Sequence, residues 1–402
     1  MTAPNQNIDY DACYAHIHSL KKVVLVTTGR TGSDFFQSLL DGHHQIGQFT
    51  GIWYFHQFWE KAICKSNLDD LIDEFIWHTA TFPCITKFKS EYNTLERWDQ
   101  LGENKNENFQ VDIDLFKKHL RLSLQRKPLT SESFFVAVHL AYSLSIGQNL
   151  FDIRILFYHI HHIEKLEQFA SDFEDFDVIC TIRDPRNTIC SGLEHRKAYN
   201  PKSFSSSRVR RIFKRVFIES ESILSYTKNV FTLKLEDLHL FSKEVLKEFC
   251  SKYDLEHNES IMVSSYHGKQ WWGDQVSGKY LDGFNPNIVN RNWQGQFYIY
   301  ENTVLEFLLY QRLKKYKYLS TTVFRQVILF PIILLLIPLP LKFEIRAFFF
   351  RIREDSGPNR FLYNSLSFAY NYIQRVILFY QYLFKRLLRK EYISQHFYSL
   401  PD

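Results

Sequence analysis

The chain has 402 residues, enough for one large domain plus an appendage, and 45% of them are hydrophobic, so a substantial core can form. Lys and Arg number 49 against 44 Asp and Glu, a formal net charge of +5 that suits anionic ligands but lacks the basic excess of a nucleic-acid binder. The six cysteines (Cys13, Cys64, Cys84, Cys180, Cys190, Cys250) make no CxxC pair and no metal-ligand spacing, which points to reduced thiols, no metal centre and a cytoplasmic setting. The N-terminal stretch has no basic region followed by an apolar run, so no signal peptide is expected.

The first predicted strand, Val23–Thr27, stops at "TGRTGS" and runs into a helix-like pattern, Asp34–Leu40. Backbone N–H groups at such a helix start point outward without partners and, with the helix dipole, attract an anion. Gly29 and Gly32 let the backbone approach a phosphate, Arg30 supplies charge with a planar donor array, and Thr31 and Ser33 add hydroxyls. The Lys-Ser/Thr pair that lets an ordinary P-loop hold a metal-bound triphosphate is missing. Downstream, "DGHHQIGQFTGIWYFHQFWE" offers Asp41, His43, His44, His56 and Glu60 as candidate bases, with Trp53, Tyr54, Phe55 and Trp59 as aromatic faces for an acceptor.

"GENKNENFQ" (Gly102–Gln110) reads as a polar loop and Asp112–Gln125 as a helix. Phe134–His139 and Arg154–His159 are predicted strands, with His139 a core residue of the first. The second runs into "FYHIHHIEKL", placing His159 and His161 at the carboxyl end of a sheet, where open α/β folds bind ligands. A helix at Ile163–Phe169 precedes the strand Asp177–Ile182, which ends in Arg183-Asp184-Pro185-Arg186. In the helix that follows, Asn187–His195, Ser191 lies about one turn in, close enough to share an anion with Arg183. A helix at Val209–Lys228 and a strand at Val230–Leu235 complete the alternation, which predicts a three-layer α/β/α fold with a central parallel sheet over residues 1–318.

Residues 319–402 differ in character. Val327–Leu341, "VILFPIILLLIPLPL", is too short to span a bilayer and carries three prolines expected to break a helix. It reads either as a monotopic insertion or as a strap on the protein's own core. Lys342–Asp402 holds ten Lys/Arg against five Asp/Glu, interleaved with aromatics. Its helix with Phe368, Tyr372, Val376, Tyr380 and Leu383 on one face suits either a membrane surface, the inner face in a cytoplasmic protein, or docking on the main domain or on a dimer partner.

The two anion motifs, in this order and spacing, resemble those of sulfotransferases that use 3′-phosphoadenosine 5′-phosphosulfate (PAPS). "TTGRTGS" (Thr27–Ser33) is similar to their 5′-phosphosulfate loop, and Arg183 with Ser191 in "RDPRNTICS" to their 3′-phosphate motif. "FTLKLEDL" and "NRNWQGQFYIYENTVLEFLLYQRLKKYKY" extend the likeness over roughly Val23–Tyr318. The resemblance, closer to the carbohydrate-type branch, implies that Thr28, Gly29, Arg30, Thr31, Gly32, Ser33 and Asp34, with Arg183 and Ser191, hold PAPS, which leaves as adenosine 3′,5′-bisphosphate. It also implies a general base at His161, with His159 second, Arg30 stabilising the departing phosphate, and a carbohydrate or glycolipid hydroxyl as acceptor without a metal. Two positions, Asp34 and Leu235, depart from the family pattern, while Phe35 agrees with it. Asp34 stands where a small hydroxyl residue is usual, Leu235 where Tyr is common, and Phe35 where an aromatic packs on adenine. Two rival functions fit the loop less fully: a P-loop-like kinase acting on a small molecule, and a non-catalytic membrane-associated scaffold with a vestigial nucleotide fold.

Overall fold

The computed structural model describes residues 8–27, 29–49, 51, 53–62, 67–78, 100–161, 165–199, 204–217, 229–273, 283–290, 293–319, 323–354, 357–388 and 395–396. Its centre is a parallel sheet of β1 (Lys21–Thr27), β2 (Ile46–Gln48), β3 (Ile155–Ile160), β4 (Phe176–Ile182) and β5 (Val230–Lys234), in the order β2-β3-β1-β4-β5. A two-residue strand, Gln395–His396, adds to the β5 edge, again in parallel. Val24 of β1 faces Tyr158 of β3 and Val178 of β4, so β1 is central and its apolar run is buried on both faces.

Side chains alternate into two cores. Val24, Val26, Tyr158 and Val178 pack under α1 (Tyr10–Ser19), α3 (Phe55–Ala62), α4 (Leu68–Trp77), α5 (Ile113–Leu124) and α6 (Ser131–Ser145). Val23, Leu25, Phe157 and Ile179 pack against α2 (Ser33–Leu40), α10 (Leu235–Leu240) and α11 (Ser242–Lys252). The result is the three-layer α/β/α arrangement. Because β1 lies between β3 and β4, connections leave it toward both sides and a crevice opens at its carboxyl end.

The helix expected at Ile163–Phe169 is α7 (Leu166–Asp172), and the one expected after Arg183 is α8 (Pro185–Tyr199). Of the helix expected at Val209–Lys228, α9 (Ser206–Phe217) is described and the remainder lies outside the described residues. Phe134–His139 is not a strand. It lies inside α6, where every residue from Ser133 to Ser143 is buried. A helix surrounded by core has no polar face, so its apolar run matches a buried strand in pattern. The capping box decides for helix: the Ser133 N–H donates to Thr130 Oγ1 at 3.1 Å, and the Thr130 N–H to Ser133 Oγ at 3.0 Å. The strand expected at Val230–Leu235 ends one residue earlier, and Leu235 opens α10.

A third core joins α8 and α9 to α12 (Ile299–Leu308), α14 (Val323–Leu336), α15 (Lys342–Glu354) and α16 (Pro358–Leu388); the short α13 (Tyr310–Lys315) sits between α12 and α14. Pro331, expected to break a helix, lies inside α14, and the chain leaves the helix only before Pro338. Ile333, Ile337 and Leu341 of that segment are buried against the protein's own core. The tail is held by a buried ion pair. Arg375 is 0% exposed and donates to both oxygens of Glu344 at 3.0 Å, and to the Leu339 carbonyl at 2.9 Å. Removing one partner leaves an uncompensated buried charge, which costs about 3–5 kcal/mol. Glu344→Ala is therefore expected to lower the unfolding free energy by about that amount in a denaturant titration. A loss below about 1 kcal/mol would contradict the role given to the pair.

Candidate functional site

The crevice is built first by the β1–α2 loop. Thr31, whose hydroxyl was expected to face an anion, is 2% exposed and turned inward. Its Oγ1 bonds Thr27 Oγ1 at 2.9 Å and Thr181 Oγ1 at 2.8 Å, tying the loop to β1 and β4. The Gly29 N–H donates to Thr27 Oγ1 at 2.9 Å. To arch over this knot the chain adopts positive φ at Gly29 (91°), Arg30 (57°) and Gly32 (83°). Arg30 is the costly one, since a side chain disfavours that region. At Gly32 a Cβ would meet Leu235 Cδ1 at 2.2 Å, so Leu235, where the resemblance led one to look for Tyr, closes over the glycine. Thr28 lies outside the described residues.

The second wall is the end of β4 and the start of α8. Arg183 follows the strand, Thr188 and Ser191 project from the helix, and Arg30 Nε donates to Ser191 Oγ at 3.3 Å. The two sequence motifs thus meet. Arg183 Nε and Thr188 Oγ1 are buried with no hydrogen-bond partner among the described residues, a costly state that an anion between them would relieve. Burial holds the Arg183 guanidinium below its usual pKa, with Arg30 adding to the effect and Glu236 opposing it. Arg186, three residues on, is spent on structure. It grips Asp184 and Glu306 and stacks on Trp293 at 3.9 Å.

These walls enclose a cavity of about 290 Å³. Arg208, Arg211 and Arg215 of α9 line it as well, so five arginines face it among the described residues. Sequence reading passed over these three, although their spacing puts them on one helix face opposite buried Val209, Phe213 and Val216. Phe35 lies in the wall, stacked on His239 with ring centres 4.6 Å apart and planes at 6°. The carboxylate of Asp34 is also in the lining.

Of the two candidate histidines, His161 lines the cavity. His159 is fully buried in β3, its Nδ1 3.0 Å from Gln37 Oε1 and 3.7 Å from Asp34 Oδ1. It stands behind Asp34 rather than in the opening. The other candidate bases are engaged elsewhere: Asp41 accepts from Ser265 and Gly268, His43 contacts the Glu256 carbonyl at 2.9 Å, His56 pairs with Asp172, and Glu60 with Lys165. The Trp53, Phe55 and Trp59 rings, expected to offer an acceptor face, are buried in the core. His139 is buried against Trp53 and Phe135 on α6. No group of three or more His, Cys, Asp or Glu could hold a metal among the described residues.

No protein-family profile matches the chain, and no curated protein does. Among solved structures it is similar to the sulfotransferase domain of the Synechococcus PCC 7002 olefin synthase (13% identity, 68% of this chain and 88% of that one, TM-score 0.36). It is similar also to the sulfotransferase domain from the curacin biosynthetic pathway (14%, 68% and 87%, TM-score 0.39). A third is the sulfotransferase STF1 from Mycobacterium tuberculosis H37Rv (15%, 63% and 74%, TM-score 0.31). At these scores the likeness carries no functional weight.

Burial makes the fold acid-sensitive. It depresses His139 and His267 to about 3, and His239, with Arg183 adding to the effect, to about 4. All three are neutral when folded, while the unfolded chain takes up protons below about pH 6.5. The melting temperature is therefore expected to hold above about pH 6.5 and to fall as pH drops from there toward 4. A flat profile through that window would contradict the buried neutral state.

Proposed function

We propose that this chain is a sulfotransferase that moves the sulfuryl group of PAPS onto an acceptor hydroxyl. The observation that carries this reading is the meeting of two anion-binding poles in one cavity, joined by the Arg30–Ser191 contact. PAPS carries a strongly anionic group at each end, the 3′-phosphate and the 5′-phosphosulfate, which suit two such poles. The residues fit it on the structure's own terms. Arg183 Nε and Thr188 Oγ1 lack hydrogen-bond partners among the described residues at one pole, and at the other the backbone at Gly29 is crowded by nothing nearer than the Arg215 guanidinium, 3.9 Å from where a Cβ would sit.

In this reading the loop N–H groups, Ser33 and Arg30 bind the 5′-phosphosulfate, and Arg183, Thr188 and Ser191 bind the 3′-phosphate. The helix-start dipole of α2 adds to the first pole. Phe35 and His239 offer a flat face to the adenine. When bound, PAPS supplies an electrophilic sulfur whose bond to the 5′-phosphate oxygen breaks as the acceptor oxygen attacks. His161 receives the proton lost by the acceptor hydroxyl. Arg30 meets the negative charge that develops on the departing oxygen, in a position fixed beforehand by the strained loop. Asp34, backed by His159, orients the acceptor or the His161 ring. A carbohydrate or glycolipid is the acceptor class proposed; Trp271, itself 5% exposed, lines the cavity along with Asp34.

The test is transfer of label from radioactive PAPS across an acceptor panel. His161→Asn is expected to reduce turnover about 10²–10⁴-fold while leaving adenosine 3′,5′-bisphosphate affinity unchanged. Near-normal turnover would remove His161 from its role. Arg183→Ala should weaken bisphosphate binding by at least ~1.5 kcal/mol, since a charge-assisted contact is lost. Unchanged affinity, with no transfer to any acceptor, would overturn the reading.

A further inference from the structure

The C-terminal unit presents a surface that the nucleotide cavity does not use. α16 runs for 31 residues, and between Phe361 and Phe384 its only charged side chain is Arg375, which is buried on Glu344. The exposed positions of that stretch are therefore all uncharged. Leu362, Leu366, Tyr370, Ile373 and Ile377 lie on one helical face and are 42% to 63% exposed. α14 repeats the pattern. From Gln326 to Leu341 there is no charge, and Ile328, Ile332, Leu335 and Leu339 are 40% to 76% exposed. Two hydroxyls of α16 tie it to the α14 segment: Tyr380 donates to the Leu334 carbonyl at 2.7 Å and Tyr372 to that of Pro338.

A protein surface in water rarely leaves this much contiguous apolar face bare. Exposed Arg346, Arg353 and Arg360 and half-buried Lys385 lie on the intervening α15 and at the two ends of α16, with exposed Glu354 the acidic group among them, while Arg386 packs its guanidinium over the Phe307 ring at 4.8 Å. No acidic residue occurs in α16. No helix among the described residues is long and apolar enough to cross a membrane.

We propose that this face seats on an anionic lipid membrane, lying in the headgroup boundary with α14 and α16 as its apolar floor. The charge pattern selects lipid over a second copy of the chain. Packing two such faces together would bring the exposed arginines and Lys385 of both copies into one neighbourhood, at a repulsive cost. An anionic bilayer accepts the apolar floor and pairs the basic rim with headgroups. The Glu344–Arg375 pair serves the same end, because it takes the one charge of the stretch off the surface. This proposal stands whether or not the cavity transfers sulfuryl groups.

The test is co-sedimentation of the full-length chain with vesicles of phosphatidylcholine alone and of phosphatidylcholine mixed with phosphatidylserine. The chain is expected to pellet with the mixed vesicles, to do so less at high salt, and less with phosphatidylcholine alone. Leu366→Glu with Ile373→Glu is expected to weaken that binding at least about tenfold while cooperative thermal unfolding persists. Should that variant fail to fold, Leu366→Ser with Ile373→Ser is the milder pair, with a smaller loss in the same direction. Absence of binding to mixed vesicles, or equal binding by a folded double variant, overturns the proposal. So does a dimer in analytical ultracentrifugation that the double substitution dissociates when no vesicle binds, which assigns the face to a second copy.

Discussion

The site rests on three threonine hydroxyls. Thr31 is held by Thr27 and Thr181, the last residue of β1 and the penultimate residue of β4. With that side chain turned inward, the loop has one way to reach α2: over the top, through positive φ at Gly29, Arg30 and Gly32. The arch is strained, and Leu235 packs against its glycine. In return, Arg30 is pinned at the crevice mouth, where it reaches Ser191 on the opposite wall. The loop and the start of α8 are neighbours because the knot joins the two strands that carry them.

Charge is concentrated by the same geometry. Arg183 is buried beside Arg30, and α9 adds three more arginines across the opening. Five arginines around one cavity raise the local positive potential there. Arg186 escapes this role because Asp184, Glu306 and Trp293 take all its capacity. Two arginines three residues apart therefore sit differently, Arg183 lining the cavity and Arg186 welding α8 to the C-terminal core.

Much of the fold was legible in the sequence because β1, β3, β4 and β5 are short apolar runs closed by breakers, and each of the first three leads into a chemically marked loop. α6 misled because all-round burial erases helical periodicity, and only the Thr130–Ser133 cap distinguishes it from a strand. β2 escaped notice since three residues around Gly47 carry too little pattern. At the site, the motif residues could be named, but not which way they point. Thr31 turns inward and Arg183 keeps an orphaned nitrogen for reasons that lie in tertiary partners. Arg208, Arg211 and Arg215 were readable as one helical face, yet nothing local says that the face meets the loop. Strand alternation would put His159 and His161 on the same side; what separates them is that β3 ends at Ile160, leaving His159 buried inside the strand and His161 at the opening.

The central claim is that one cavity holds two phosphate groups at fixed separation, and calorimetry with three nucleotides tests it most directly. Adenosine 3′,5′-bisphosphate is expected to bind at least about tenfold more tightly than 5′-AMP, which lacks the group that Arg183, Thr188 and Ser191 would hold. It should also bind more tightly than ATP with magnesium. Equal affinity for the bisphosphate and 5′-AMP, or preference for magnesium-ATP, would contradict the two-pole site.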